Sequence, residues 1–242
     1  MNEEFKFYEK RKNWDFSTIN YIKEELTNWN MYEILKEVTN STSKILDLGT
    51  GGGERVIKYF PEASEILGTD FSPSMINTAY ENLKKSNRKN ITFKVMDNLN
   101  MDVNKNYYDV VVARHTPTDP KQIYEVLKPN GYLIIRGVDK YDCFELEKTF
   151  NKPQNNNKPI SIIDYENVLE AGFKDVELVP IHTREYYQTK EDLLKLLLKV
   201  PIINNFSNEK IDIEVLDKYI ERNTYSKGIR LVRRYYGITA RK

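Results

Sequence analysis

The feature that most constrains this chain is an apolar run that passes directly into a loop of closely spaced glycines. The run Lys44-Ile45-Leu46-Asp47-Leu48 has the composition of a buried strand, and Gly49-Thr50-Gly51-Gly52-Gly53 follows it before a helix-sized segment. Glycines in this position let a ligand approach the backbone beside the positive N-terminus of the following helix. The pattern therefore predicts a binding site of the nucleotide type at the end of a strand.

Short apolar runs alternate with amphipathic segments along the rest of the chain, as in strand–helix–strand units of a mostly parallel sheet. Strands are predicted at 44–48, 65–70, 91–96, 108–114, 132–136, 175–181 and 228–240, and helices at 55–60, 73–83, 121–127, 163–171, from Thr189 onward, and at 211–220. The helices between the last two strands predict a cap over one end of the sheet. Residues 16–38 are expected to form one or two amphipathic helices with aromatic core residues, and residues 151–159 a mobile polar loop.

The charge and spacing of the glycine loop narrow the choice of ligand. A dinucleotide fingerprint, G-x-G-x-x-G, requires a third glycine where this chain has Glu54 or Val56, and the Gly-Lys-Ser/Thr ending of a phosphate-binding P-loop is missing. Asp47, two residues before the first glycine, would repel a phosphate but attract a ligand with positive charge. S-adenosylmethionine, which carries an ammonium and a sulfonium group, meets this requirement.

These residues resemble the first motif of the class I S-adenosylmethionine-dependent methyltransferases, an acidic residue followed by G-x-G-x-G. Asp47, Gly49, Gly51 and Gly53 match the motif at every position, and Thr50 lies inside the same loop. The resemblance therefore implies S-adenosylmethionine as the cofactor and these five residues as part of its binding site.

The resemblance also implies a fold, a Rossmann-like, doubly wound α/β sheet of seven strands. Such a sheet is mostly parallel with an antiparallel last strand, and here a helical cap is expected between strands six and seven. The resemblance covers roughly residues 45–137, where Asn130 replaces the usual glycine in the turn before strand five, a change that asparagine tolerates. The expected organisation is one domain over 1–242, made of N-terminal helices (1–43), a cofactor-binding core (44–150) and a cap insertion (184–226).

Further cofactor contacts are implied at the ends of the next strands. In this family an acid after the second strand binds the ribose hydroxyls, and Asp70 occupies that place. The other implied contacts are Phe71 and Met75 at the adenine, the third-strand motif Asp97, Asn98 and Leu99, and Arg114 at the methionyl carboxylate. Taken alone, Asp70 also fits a helix cap and Asp97 a solvated loop acid, but their position at successive strand ends favours a shared site.

The methyl acceptor is harder to read. Methyl transfer from a sulfonium needs no acid for the leaving group, so positioning can supply most of the catalysis. His115, directly after the fourth strand, is the predicted catalytic residue, with an orienting or structural role as the alternative. Its motif, Arg114-His115-Thr116-Pro117, is unlike that of the exocyclic-amine methyltransferases, and no metal-ligand cluster is identifiable. An O-, N- or C-methyltransferase acting on a small molecule remains the main expectation.

Composition limits the partners and the location. Lysine and arginine, 37 in total, nearly balance 36 acidic residues, so an RNA methyltransferase using local basic patches such as residues 84–89 and 230–234 is only an alternative. A non-catalytic S-adenosylmethionine-binding module stays open too, and a nicotinamide oxidoreductase is more remote. The chain has no apolar run of about 18 residues and a polar N-terminus, which predicts a soluble, cytoplasmic protein without membrane partners. The single cysteine, Cys143, is expected to be a buried thiol.

Overall fold

The computed structural model describes residues 18–151 and 159–242. Its strands are β1 (Tyr21–Glu25), β2 (Lys44–Leu48), β3 (Glu65–Asp70), β4 (Ile91–Val95), β5 (Tyr108–Arg114), β6 (Leu127–Val138), β7 (Lys174–Tyr187), β8 (Thr224–Tyr225) and β9 (Gly228–Arg241). Its helices, numbered here in chain order, are α1 (Met31–Val38), α2 (Glu54–Tyr59), α3 (Pro73–Lys84), α4 (Pro120–Val126), α5 (Phe144–Thr149), α6 (Ile160–Glu170), α7 (Lys190–Lys199) and α8 (Lys210–Asn223).

All of the described strands belong to one sheet, in the order β1-β7-β9-β6-β5-β2-β3-β4, with β8 paired to β9. Strands β2 to β7 run in one direction, whereas β9 lies antiparallel between β6 and β7. This arrangement confirms the predicted α/β class with a Rossmann-like, mostly parallel sheet and an antiparallel last strand. The strand count is nine rather than seven, because β1 pairs with the outer edge of β7 and the short β8 pairs with the start of β9.

The prediction of one or two helices over residues 16–38 is wrong for the first half of the described part of this segment. Tyr21 to Glu25 form an extended strand that pairs antiparallel with β7, with Tyr21 opposite Tyr187. Pairing with a strand edge overrides a helical spacing of apolar residues, because short apolar patterns fit either period. Only Met31–Val38 is helical, and it starts where the Asn30 side chain accepts a hydrogen bond from the Tyr32 amide. Phe16 lies outside the described residues, as does most of the predicted mobile loop (152–158).

Side-chain caps explain why the remaining helices begin near their predicted positions. The Ser72 hydroxyl accepts from the amide of Met75 and precedes a proline at the first position of α3, as expected. Thr189 caps α7 by accepting from the Asp192 amide and donating to its carboxylate. Strand β7 runs six residues beyond its predicted end at Ile181, and β6 begins earlier than predicted, at Leu127, despite a left-handed Asn130.

Helices cover the central sheet on both faces, which explains its apolar strands. Helices α1, α2 and α3 pack on one face around Ile45, Ile66 and Val112, and α4 and α6 pack on the other face. A third cluster joins the predicted cap helices α7 and α8 to α5 and to the projecting ends of β7 and β9. The cap therefore has an apolar core of its own. No helix in the described ranges is long and apolar enough to cross a membrane.

A buried ion network lies under this cap. The Arg233 guanidinium donates to Asp142 at 2.8 Å and lies 3.4 Å from Glu185, and each of these three residues is at least nine-tenths buried. Arg233, one of the residues of the basic patch at 230–234, therefore does not face solvent, because strand alternation turns it inward with Leu231. Cys143 is buried and unpaired as predicted, and burial raises the pKa of its thiol well above the usual value.

Candidate active site

The glycine loop between β2 and α2 is held against the end of β3. Gly49, Gly51 and Gly53 all have positive φ angles, of 74°, 56° and 74°. The amides of Gly49 and Thr50 both donate to the carbonyl of Thr69 at 2.8 Å. A side chain at Gly49 would have its Cβ only 2.6 Å from Cβ of Thr116, so this position cannot accept one without movement. The loop thus brings bare backbone to the edge where β2, β3 and β5 end.

Asp70 ends β3 and faces this loop. Its Oδ2 accepts from the Gly51 amide at 3.0 Å and its Oδ1 from the Ser72 amide at 2.9 Å. Burial raises the pKa of Asp70, while these two amides lower it. A carboxylate offers about four lone-pair sites, so two remain for the hydroxyl donors of a ligand. The geometry of Asp70 is compatible with the ribose contact predicted for it.

Asp47 is the acid buried deepest in the site, with 5% of its surface exposed. Burial raises its pKa to about 7, against the lowering effects of the Thr50 side chain and of Arg114, and the Asp70 charge raises it further. The Thr50 hydroxyl is buried beside it, close enough to lower its pKa, but forms no well-oriented hydrogen bond among the residues described. A buried carboxylate with so little compensation is what a site for a cationic ligand would present.

This arrangement predicts that Asp47→Asn changes the pH dependence of folding. Because the pKa of Asp47 in the folded state lies above its unfolded value of 3.8, its contribution to stability is complete below pH 3.8 and is lost as the pH rises towards 7. The variant cannot ionise at this position. Between pH 5 and pH 8 it should therefore lose roughly 2–3 kcal/mol less stability than the wild type. Urea denaturation of the cofactor-free protein at both pH values measures this difference.

An exposed acid provides the control for that measurement. Asp102, whose side chain is 93% exposed and contacts Lys94, should show the wild-type pH dependence when changed to Asn. Equal pH slopes in the wild type and in Asp47→Asn would contradict the raised pKa.

The third-strand motif is divided between the surface and the interior. Asp97 and Leu99 are exposed, and the Asp97 carboxylate accepts from the Leu99 amide at 2.9 Å. Asn98 is buried, its Oδ1 accepting from the Thr69 hydroxyl at 3.1 Å and its Nδ2 donating to the Thr116 hydroxyl at 2.9 Å. The Asn98 amide therefore ties the end of β3 to the loops after β4 and β5. Its cofactor contact stays a prediction, as do those of Asp97 and Leu99.

The predicted adenine neighbours lie at the start of α3. Phe71 directly follows Asp70 and is half-buried, whereas Met75 is 3% exposed in the first turn of the helix. The Ser72 cap that opens α3 fixes both residues beside Asp70. Their contact with adenine remains a prediction.

Arg114 and His115 follow at the end of β5. Desolvation by the surrounding protein lowers the pKa of Arg114 to about 10, so the guanidinium stays charged at pH 7. Its positive charge lowers the pKa of Asp47. His115 has a left-handed backbone with φ 53°, and the residue is partly exposed to solvent. The pKa of His115 lies well below its usual value. The main cause is desolvation by the surrounding protein, and the charges of Arg114, Arg136, Arg233 and Arg55 lower it further. The imidazole is therefore neutral at pH 7.

Several cleft residues were missed by the sequence analysis. Arg136 on β6 lies in register with Arg114 on β5, donates to Nε2 of His115, and lies over the ring of Tyr235, 4.0 Å from its centroid. The His115 ring stacks on the same tyrosine at a centroid distance of 5.3 Å. Arg136 could have been found from its position at the end of a parallel strand, next to the predicted site. Tyr235 carries no such signal, because it comes from the antiparallel last strand.

Metal ligation was also considered for this edge of the sheet. Within residues 18–151 and 159–242, no group of three or more histidine, cysteine and acidic side chains is arranged to hold an ion.

Comparison with known proteins identifies the class to which this fold and site belong. A family model described as a methyltransferase domain matches residues 39–197, which include the glycine loop, Asp70 and His115. The chain belongs to this methyltransferase domain family. The class predicted from the sequence, the S-adenosylmethionine-dependent methyltransferases of class I, is therefore confirmed, and S-adenosylmethionine is the cofactor of that class.

Individual relatives differ in what they methylate. Ribosomal protein L11 methyltransferase of Listeria innocua is 31% identical over 109 residues, 43% of this chain and 35% of that protein. Demethylmenaquinone methyltransferase of Lactococcus lactis is 33% identical over 100 residues, 37% of this chain and 40% of that protein. The match thus spans two fifths or less of the length of either relative.

A solved structure supports the fold independently. Phosphoethanolamine N-methyltransferase 2 of Haemonchus contortus, solved in complex with S-adenosylmethionine, aligns with a TM-score of 0.54 at 21% identity. The alignment covers 88% of this chain and 52% of that one. At this level of identity the likeness concerns the fold alone.

Proposed function

We propose that this protein transfers the methyl group of S-adenosylmethionine to a small-molecule acceptor. The observation that carries the proposal is the convergence, at one edge of the sheet, of a cradle for a cationic nucleotide-like ligand with a polar cleft. Asp47, the glycine loop and Asp70 supply the cradle, and Arg114 and His115 lie next to it at the end of β5. Open α/β sheets bind their ligands at this edge.

The residues present fit the cofactor in charge and in hydrogen-bonding capacity. Asp47 would face the positive charge of the ligand, Asp70 would accept from the ribose hydroxyls, and Arg114 would pair with the methionyl carboxylate. Thr50 has a buried hydroxyl available for a further hydrogen bond. When bound, the cofactor supplies an activated methyl group whose transfer needs no acid for the leaving thioether, so these residues serve to position the donor.

The proposed acceptor class follows from the composition of the site beside His115. The His115 ring contacts Arg136 (β6) and Tyr235 (β9), and Tyr32 (α1), Arg55 (α2) and Arg114 (β5) interact electrostatically with His115 or with these arginines. A site assembled from five separate elements suits a small molecule better than an extended polymer. One RNA-binding patch considered from the sequence is also largely neutralised, because Arg233 and Arg234 pair with Asp142, Glu185 and Glu145.

His115 is proposed as the side chain nearest the reacting acceptor. Its Nε2 accepts a hydrogen bond from Arg136, so the lone pair that a general base would use is engaged in this geometry. The ring is neutral at pH 7 and would accept a proton only after Arg136 has moved. This contact favours an orienting role for His115, with Arg136 as its partner.

The experiment is a transfer assay with methyl-tritiated S-adenosylmethionine and a lysate separated into a low-molecular-weight filtrate, a protein fraction and an RNA fraction. We expect label in the filtrate. Label confined to RNA or to protein would overturn the small-molecule acceptor. Tight cofactor binding without label in any fraction would favour a non-catalytic binding module instead.

A further inference from the structure

Arg136 in the cleft lacks the acidic partners that the two arginines under the cap have. Arg233 is paired with Asp142 and Glu185, and Arg234 with Glu145 at 2.6 Å. No carboxylate lies at ion-pair distance from the half-buried Arg136, or from the exposed Arg55, in the part of the chain that the structure covers. A half-buried guanidinium group without a counter-charge is costly, so an anion brought by a ligand would stabilise Arg136.

The Arg136 guanidinium is already oriented for such a ligand. It lies over the Tyr235 ring and donates to Nε2 of His115, two contacts that fix the direction of its planar fork. Stacking of this kind orients a guanidinium for the bidentate binding of carboxylate and phosphate groups. The charge of Arg55 acts on the same group.

A second, independent observation also points to a missing ligand. The Tyr32 hydroxyl is fully buried without a hydrogen-bond partner among the described residues, and Tyr32 is one of the groups that interact electrostatically with Arg114 and Arg136. Buried hydroxyls are normally paired, so an unpaired one within electrostatic range of two arginines is consistent with an acceptor oxygen supplied by a ligand.

We infer that Arg136, assisted by Arg55, binds a carboxylate or phosphate group of the methyl acceptor above the ring of Tyr235. The acceptor is thus an anionic small molecule, held by its charged end while its nucleophilic atom faces the donor. Arg114, nearer to Asp47, is left for the methionyl carboxylate. The inference rests on the proposed function and adds the chemical class of the substrate.

The test is an NMR titration of the protein saturated with S-adenosylhomocysteine, so that the methionyl carboxylate already occupies its own site. Inorganic phosphate and acetate are titrated separately at constant ionic strength, and the amide signals of His115 and Tyr235 are followed. We expect saturable shifts with at least one of the two anions, and the better ligand indicates which group the acceptor carries.

Three variants decide the outcome. Arg136→Gln should weaken the better anion at least about tenfold, and Arg136→Lys, which keeps the charge but loses the planar fork, should fall between it and the wild type. Arg234→Gln is the matched control, because it removes an arginine that is already paired with Glu145, and it should leave the titration unchanged. Retained binding of S-adenosylhomocysteine shows that each variant is folded.

The possible failures are distinguishable. If S-adenosylhomocysteine does not bind to the wild type, the proposed function fails and the inference fails with it. If it binds, but neither anion produces saturable shifts or Arg136→Gln leaves them unchanged, the anionic acceptor alone is overturned.

Discussion

Asp70→Ala is expected to weaken binding of S-adenosylmethionine by roughly 100- to 10,000-fold. The change removes the charged acceptor proposed for two ribose hydroxyls, and each hydrogen bond to a charged group contributes about 1.5–3 kcal/mol. It also removes the acceptor of the Gly51 and Ser72 amides, which hold the glycine loop against β3. Calorimetric titration with S-adenosylmethionine measures the loss directly.

Two further variants separate the ribose contact from loop support. Asp70→Asn keeps one side-chain oxygen for a loop amide but loses the charge, so its affinity should lie between those of the wild type and Asp70→Ala. Asp102→Ala removes an exposed acid outside the cradle and should bind as the wild type does. Affinity of Asp70→Ala within about threefold of the wild type would contradict the assignment of this residue, since that difference is worth less than one ordinary hydrogen bond.

Gly51→Val is expected to abolish cofactor binding while the protein still folds. Gly51 has a φ of 56°, a left-handed conformation that costs a β-branched residue about 1–2 kcal/mol, or roughly 2–8 °C of melting temperature in a domain of this size. The larger effect is on binding, because the valine side chain would extend from the loop that is predicted to contact the cofactor. Thermal shift with and without S-adenosylmethionine reports both quantities.

A second glycine with a positive φ angle provides the control for backbone strain. Gly172, between α6 and β7, has a φ of 98°, and a Cβ built there would meet Tyr124 at 3.6 Å, an ordinary contact. It lies where β7 begins, at the sheet edge opposite the end of β2. Gly172→Val should therefore lower the melting temperature yet leave the ligand-induced shift intact. A full ligand-induced shift in Gly51→Val would count against the loop as the binding site.

The cradle was predictable from the sequence because its residues are encoded locally. Asp47 and the glycines are consecutive, and Asp70 follows the next strand, so the parallel order of the sheet brings them to one edge. The Ser72 cap and proline marked the start of α3 with equal clarity. At these positions the local sequence pattern and the tertiary packing favour the same structure.

The acceptor side of the site was less predictable because its residues come together only through the tertiary fold. Tyr235 reaches the cleft from a strand that begins more than a hundred residues after His115, by pairing between β6 and β7. The pattern around Tyr21 fitted a helix as well as a strand, and only the free edge of β7 decides between them. Asn98 shows the opposite case, since both ends of an amide predicted to contact the cofactor are engaged in joining the end of β3 to the loop after β5.

Strand alternation along β9 has a consequence for the design of variants. Leu231, Arg233 and Tyr235 project from the same face, the first into the cap cluster, the second into the buried ion network and the third beneath Arg136. One rigid strand therefore connects the interior of the cap with the floor of the cleft. If cap residues are exchanged to alter substrate preference, some substitutions will act by shifting β9 and others by changing a contact with the substrate. Cofactor affinity measured together with turnover separates these two effects.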